Sequence, residues 1–338
     1  MNTPKMYLAA LAATMFIVSC QDETANTIDD SSVSETQLIQ PEEAFPNSVG
    51  QSKTLYYGEQ KFDFQVNSDT YVLEGDILFD KNDLTVAPDV IGEPSLEENT
   101  RSVGRTGGRW ANNTVPFVID ENLVNQQRVR DAIAHWEANT ALRFVARTTE
   151  RDFIRFVTGG GCASFVGRRG GRQDILLAPG CSTGNTIHEI GHAVGLWHEQ
   201  SRADRDDFVT INFENIEERA RGNFLTYEQS GQDGDEFTNA LDFGSIMMYG
   251  SFFFSSNGEP TIVRRDNGRT FEIQRNGLSR GDITGINQMY PPANNNDICD
   301  GVAAFVNGRA YPVGARVTFR GFLFERVVGG WTRIGQCG

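Results

Sequence analysis

The run His188-Glu189-Ile190-Gly191-His192-Ala193-Val194-Gly195-Leu196-Trp197-His198 constrains this chain more than any other part of it. On a helix, side chains four residues apart lie one turn above each other on the same face, so His188 and His192 can grip one metal ion from one side. Glu189 then sits beside that ion without binding it. A straight helix would carry His198 to a different face and height. Gly195 removes the difficulty, because glycine takes the left-handed conformation that ends a helix at little steric cost and turns His198 back under the metal. Three neutral imidazoles leave a fourth zinc position open to water, the arrangement of a catalytic site. Such an ion lowers the pKa of that water to roughly 7 and polarises a carbonyl, while Glu189 takes the proton and hands it to the leaving amine. The expectation is one catalytic Zn2+ and metal-assisted hydrolysis of a peptide bond.

A bare His-Glu-x-x-His also occurs in helices whose histidines are merely solvated or packed. The longer form, with Gly195 and His198 in register, requires a methionine turn downstream. Ser245-Ile246-Met247-Met248-Tyr249 supplies one, and Met247 would form the hydrophobic floor under the zinc. Taken alone, a methionine there would read as core filler. The chain has 4 histidines, three of them in the motif; the remaining one, His135, lies on a predicted amphipathic helix and reads as structural.

The stretch from His188 to Ile216 resembles the astacin zinc proteases, whose pattern continues past the third histidine with a glutamate and an Arg-x-Asp-Arg sequence, here Glu199, Arg202, Asp204 and Arg205. The similarity runs from Trp110 to Pro291. It implies an α+β, two-lobed metzincin catalytic domain acting on proteins or peptides. It also implies that Tyr249 is an additional, displaceable zinc ligand that stabilises the oxyanion, and that Glu199 meets, through water, the new amino terminus made by activation. A solvated helix-end charge is the alternative for Glu199. Two departures stand out. Met248 occupies a position usually held by histidine, and neither Ala141 nor the region near Tyr290 offers the cysteines of the family's second disulfide.

Of 5 cysteines, Cys20 belongs to the leader, and the other four allow three connectivities. Cys162 with Cys181 matches the family's short loop above the zinc helix, and Cys299 with Cys337 would staple the last forty residues. No two lie close enough in sequence for a usual zinc clip. Disulfides imply an oxidising space outside the cytoplasm. Lys5 followed by the apolar stretch Met6 to Val18 has the length of a signal-peptide core and is too short for a membrane span. Its end, Ile17-Val18-Ser19-Cys20, resembles the bacterial lipobox, with Cys20 as the lipidated residue; ordinary cleavage nearby is the alternative. The expected location is outside the cell, with the precursor lipid-anchored at a bacterial outer membrane or cell surface and membrane contact only through that anchor.

Charge then divides the chain. Residues 21–100 hold eighteen acidic side chains against three lysines, the whole chain's formal imbalance of -15. A boundary near residue 100 follows. The first half of this segment reads as a disordered tether, whereas Thr54 to Leu84 has enough Tyr, Phe, Val and Leu to fold onto something. Within it, Leu73-Glu74-Gly75-Asp76-Ile77 resembles the Phe-x-Gly-Asp motif by which astacin propeptides block their own zinc. Asp76 would be the latch, with its carboxylate in the open coordination position; a plain Gly-Asp turn is the alternative. Activation would be a cut at Arg101 or Arg105.

The catalytic stretch, roughly 190 residues, suffices for one buried core split by a cleft. Its pattern predicts a helix over 122–139, strands at 143–145, 153–157 and 174–177, a zinc helix capped by one of Thr183 to Thr186, and a last helix opened by Ser279 and Asp282 in capping-box spacing. A polar linker follows. The terminal segment resembles small chitin-binding modules of secreted hydrolases, with short strands expected at 311–314, 317–319 and 322–324, and around Trp331. It would take chitin or another polysaccharide, unless its aromatics are simply its own core. Basic residues are scattered and balanced by acids, so no nucleic-acid partner is expected. The expected organisation is thus a signal peptide (1–20), an acidic tether and inhibitory propeptide (21–101), a peptidase domain (102–292), a linker (293–298) and a small disulfide-bonded all-β module (299–338). Two function classes compete: a secreted zinc endopeptidase made as a zymogen, and a catalytically silent surface glycan-binding or adhesin protein. Glu189 and Tyr249 favour the first, since a protein that only binds has no use for a general base.

Overall fold

A computed structural model describes residues 40–47, 51–58, 60–87, 104–105, 107–292, 299, 302–306 and 309–337. The leader ending at Cys20, most of the acidic tether, Arg101 and the 293–298 linker lie outside the described residues. Among those described, no helix is long and apolar enough to cross a membrane.

The acidic segment folds into an antiparallel sheet of β1 (Gln51–Tyr57), β2 (Gln60–Asn67), β3 (Thr70–Leu73), β4 (Ile77–Phe79) and β5 (Leu84–Thr85), in the order β4-β3-β2-β1-β5. Alternation dictates its faces: Phe62 and Phe64 are buried while Lys61 and Asp63 are exposed, as a half-covered strand requires. The buried face carries Leu55, Phe62, Phe64, Tyr71, Leu73, Ile77 and Phe79, which pack with Val166, Trp197 and Tyr227 of the following domain. That shared apolar surface allows so charged a segment to order.

The next domain opens with β6 (Thr114–Ile119), α1 (Gln127–Asn139), β7 (Arg143–Ala146), β8 (Phe153–Val157), β9 (Cys162–Ala163), β10 (Arg172–Leu177) and α2 (Thr183–Ala193). Its sheet runs β7-β6-β8-β10-β9, parallel except for the edge strand β9. Helices α1 and α2 pack together through the fully buried Trp136, whose indole N–H donates to Ile187 O at 3.1 Å. After α2 come the two-stranded pair β11 (Val209–Ile211) and β12 (Ile262–Arg264), then α3 (Arg280–Met289). A second apolar cluster, including Val209, Phe224, Met248, Tyr249, Phe253 and Ile262, forms the core of this part. Both ends of the domain meet on the last turn of α2. The Trp110 indole donates to Ala193 O at 2.9 Å, the Tyr290 hydroxyl donates to Val194 O at 2.8 Å, and the Trp110 amide donates to that hydroxyl at 3.3 Å.

Several boundaries correct the sequence reading. Helix α1 starts at Gln127 rather than near Asn122, because Asp120 accepts the Asn122 amide and Leu123 closes a turn on Asp120 O, a local bonding that competes with helix. The zinc helix is capped by Ser182, one residue before the expected threonines, in a capping box with Asn185. The predicted strands at 143–145 and 174–177 extend to Ala146 and back to Arg172. In the terminal module, Tyr311 to Gly314 is not a strand; the sheet is β13 (Arg316–Phe319), β14 (Phe322–Val327) and β15 (Gly330–Gln336). The disulfides are Cys162–Cys181 and Cys299–Cys337.

Candidate active site and metal centre

Helix α2 projects His188 and His192 from one face, and its end turns by a Schellman arrangement. Gly195 N–H donates to His192 O at 2.8 Å and Leu196 N–H to Gly191 O at 2.9 Å, with Gly195 at φ +114°. This left-handed residue sends the chain back so that His198 joins the other two histidines. All three rings are fully buried. Their Nε2 atoms converge on Asp76, whose Oδ2 lies 3.3 Å from both His188 and His198 and whose Oδ1 lies 3.7 Å from His192. Asp76 and the three histidines form a group whose candidate ligand atoms all lie within 4.8 Å of one another. Among the described residues no other group of three or more His, Cys, Asp or Glu is so disposed.

Orphaned polar atoms show what this group suits. His192 Nε2, Asp76 Oδ1 and both carboxylate oxygens of Glu189 are buried without a hydrogen-bond partner, a costly state in a core unless a cation compensates. The outward ring nitrogens are engaged: His188 Nδ1 with Ile246 O, His192 Nδ1 with Leu196 O and His198 Nδ1 with Glu74 Oε2, each at 2.8 Å. Those partners hold each ring so that Nε2 faces Asp76, where a metal ion would take its electron pair. Three nitrogen donors and one carboxylate are the number and kind of donors that zinc takes. Burial and the neighbouring Asp76 charge push the Glu189 carboxyl well up. Burial also works against the charge on Asp76, but His198 and the imidazole hydrogen bonds hold its carboxyl well down. A divalent cation would favour the ionised form of both.

The methionine turn closes the site from below. Met247 is buried, and its sulfur lies against α2, 2.8 Å from where a Cβ on Gly191 would stand. Asp282, which sequence reasoning assigned only to the α3 cap, also fixes this turn: it accepts from the Ser245 hydroxyl at 2.6 Å, Ile246 N–H at 3.0 Å and Ser279 N–H at 2.8 Å. Tyr249 lies tilted at 55° against His198, with ring centroids 4.6 Å apart, and donates its hydroxyl to Glu74 O at 2.6 Å. Glu199 is buried rather than solvated. It accepts Asp242 N–H at 2.8 Å, lies 3.6 Å from Arg202, and lines a small cavity of about 20 Å3; burial raises its carboxyl to about 8. His135 stands apart from the site, its Nε2 accepting Leu278 N–H at 2.9 Å.

The acidic segment reaches the histidine site at two places. Ser164 N–H donates to Asp76 O at 2.9 Å and Leu78 N–H to Ser164 O at 2.8 Å, so Asp76 is delivered by a strand lying on the continuation of β9. Gly75, at φ +78°, makes the sharp approach, and a Cβ there would come within 2.9 Å of Glu42 O. The second contact was not anticipated. Glu42 forms a buried ion pair with Arg275, Nη2 to Oε2 at 2.9 Å, and accepts the Asn185 side-chain amide at 2.9 Å. Burial alone would raise the Glu42 carboxyl, yet Arg275 brings it down to about 2. An isolated Glu-Glu pair in an acidic tract carries no spacing signal that singles it out. Of the two candidate processing residues, Arg105 is tied down, its amide donating to Gly195 O at 2.8 Å and its guanidinium to Asp233 at 2.9 Å.

A sequence profile of the Astacin family (Peptidase family M12A) matches residues 102–291. The chain belongs to the astacin family. Blastula protease 10 of Paracentrotus lividus is 39% identical over 211 residues, which is 59% of this chain and 35% of that protein. The zinc metalloproteinase nas-4 of Caenorhabditis elegans is 29% identical over 277 residues, 79% of this chain and 85% of the relative. A solved structure of High choriolytic enzyme 1, a hatching enzyme zinc-protease from Oryzias latipes, aligns with a TM-score of 0.49 at 38% identity over 54% of this chain and 92% of its own. Nas-4 and High choriolytic enzyme 1 are zinc proteases by name, and His188, His192 and His198 offer this chain's zinc a fitting set of donors.

Proposed function

We propose that the processed chain is a secreted zinc endopeptidase and that the segment before residue 101 holds it inactive. The observation carrying this reading is Asp76, a carboxylate from the acidic segment, lodged among three histidine Nε2 atoms beside a Glu189 whose oxygens have no other partner. His188, His192 and His198 would hold zinc, which when bound would supply Lewis acidity and lower the pKa of a water at the site to roughly 7. Glu189 accepts the proton of the attacking water and returns it to the departing amine nitrogen. Tyr249, once free of the Glu74 carbonyl, turns its hydroxyl toward the oxyanion that develops on the scissile carbonyl. Ser164 and β9, now paired with the acidic segment, give a substrate strand an edge to join. We read the apolar cluster of Trp136, Ile154, Ile175 and Ile190 and the one of Val209, Phe224, Phe253 and Ile262 as the cores of two lobes either side of that cleft.

Processing at Arg101 suits the anchoring of Arg105, and it removes Asp76, Glu74 and Glu42 together. The small cavity at Glu199 suits a water between its carboxylate and a new amino terminus. Two disulfides favour export, with lipidation at Cys20 tethering only the precursor. In the terminal module Phe305 stacks on Tyr311 at 5.6 Å, both edge-on to Trp331. These half-exposed rings favour docking on a polysaccharide such as chitin, which would target the protease rather than replace its activity.

The deciding experiment compares precursor with processed chain on casein. Digestion is expected only after processing, is stopped by a chelator, and falls by roughly 10²–10⁴ in Glu189→Ala with its zinc content unchanged. A precursor as active as the processed chain, or an unimpaired Glu189→Ala, overturns the reading.

A further inference from the structure

Each of the three metal-site histidines has its outward Nδ1 engaged, but the partners differ in origin. Ile246 O and Leu196 O, which hold His188 and His192, belong to the peptidase domain and stay after processing. The partner of His198 is Glu74, a residue of the segment that processing removes. Its side chain is buried, and the Ser201 hydroxyl donates to the same Oε2 at 3.0 Å. The Glu74 backbone stands at φ +51°, in the left-handed region that side chains other than glycine rarely occupy. It is kept there by bonds at both ends: the carboxylate on His198 and Ser201, the carbonyl on the Tyr249 hydroxyl.

A carboxylate on the outward nitrogen of a metal-binding imidazole fixes its tautomer and orientation and makes its inner nitrogen a better donor. We propose that Glu74 is a positioning residue for zinc: the precursor holds the ion with an extra ligand, Asp76, and with a third histidine tightened by Glu74, so that zinc is acquired and kept most firmly before activation. Processing then strips both carboxylates at once and frees Tyr249 in the same event. The inhibitory segment thereby also serves as the chain's own metal-loading aid. This rests on the reading of Asp76 as a zinc ligand in the latent form.

The test follows zinc loss from uncleaved precursor to the chromogenic chelator 4-(2-pyridylazo)resorcinol. Glu74→Gln is expected to release zinc about 10–100-fold faster than the parent. Glu42→Gln, which loosens the same segment away from His198, is expected to change the rate far less. In nitrogen-15 spectra of the zinc-loaded precursor, the His198 ring N–H proton should move upfield in Glu74→Gln while those of His188 and His192 stay. Release from Glu74→Gln within twofold of the parent, or equal acceleration by Glu42→Gln, overturns the proposal. Processed chains from parent and variants share one sequence and must release zinc at one common rate; a difference there would mean that the variant precursor misfolds, and the proton shift then decides. Unchanged release from Asp76→Asn beside fast release from Glu74→Gln would remove the latch reading while leaving the role of Glu74 standing.

Discussion

Replacing Glu42 by Gln should loosen the Glu42 end of the acidic segment by an amount the structure sets. In the docked segment burial works to raise the Glu42 carboxyl, but Arg275 and, to a lesser degree, His188 bring it from the ordinary 4.5 down to about 2. At about 1.4 kcal/mol per tenfold change in acidity, the ionised Glu42 carboxylate favours the docked state by about 3 kcal/mol at neutral pH, chiefly through Arg275. Breaking a buried pair by removing one partner typically costs about 3–5 kcal/mol. The lower end applies here, because Arg275 keeps Gln274 O at 3.0 Å and Met248 O at 3.2 Å as acceptors. Local opening of the 40–47 stretch, which leaves the strands on either side of Glu74 and Asp76 in place, should therefore become roughly 150-fold more frequent. Amide hydrogen exchange on uncleaved precursor reads this directly at Ala44, whose N–H is bonded to Gly75 O, and at Cys162, bonded to Glu43 O. The sign of the pH dependence follows from a depressed carboxylate: the contribution is complete above about pH 4.5 and disappears as pH falls toward 2. The gap between parent and variant must therefore narrow as pH is lowered through that window. Exchange at Ala44 and Cys162 unchanged within twofold at pH 7 would refute the reasoning.

Gly195→Ala meets both a left-handed backbone and a Cβ placed 2.9 Å from Met289 Cε; thermal unfolding should report a loss of about 1–3 kcal/mol, and zinc content should fall because His198 is misdirected. Tyr249→Phe should leave zinc content and folding intact but lower kcat of the processed enzyme roughly 10²–10³-fold with little change in KM, as loss of an oxyanion donor does. An unchanged kcat would remove Tyr249 from the chemistry.

The metal site was legible because its parts are local. His188, His192, Gly195 and His198 obey helix spacing and a helix-end rule, and the Ser279–Asp282 box was visible for the same reason. The Gly75-Asp76 pair could be singled out only by its likeness to a known motif. What escaped detection depends on contacts distant in sequence: Glu42 with Arg275, Glu74 with His198, and Asp282 reaching back to Ser245 and Ile246. Strand β6 was missed for a different reason. Pro116 sits inside it while both neighbours pair with it, and proline in a central strand argues against the assignment. Helix α1 was drawn too long because its apolar periodicity says nothing of the Asp120 turn that delays its start.

The meeting of Trp110 and Tyr290 on the last turn of α2 bears on how such a peptidase tolerates attachments. Whatever is fused before Trp110 or after Tyr290 is leashed to a clasp next to the histidine-bearing helix, not to a remote surface. Mechanical load applied through either end of the domain would converge on that clasp. Trimming past either aromatic residue to obtain a smaller fragment should fray the helix end that aims His198, so the shortest usable catalytic unit keeps both.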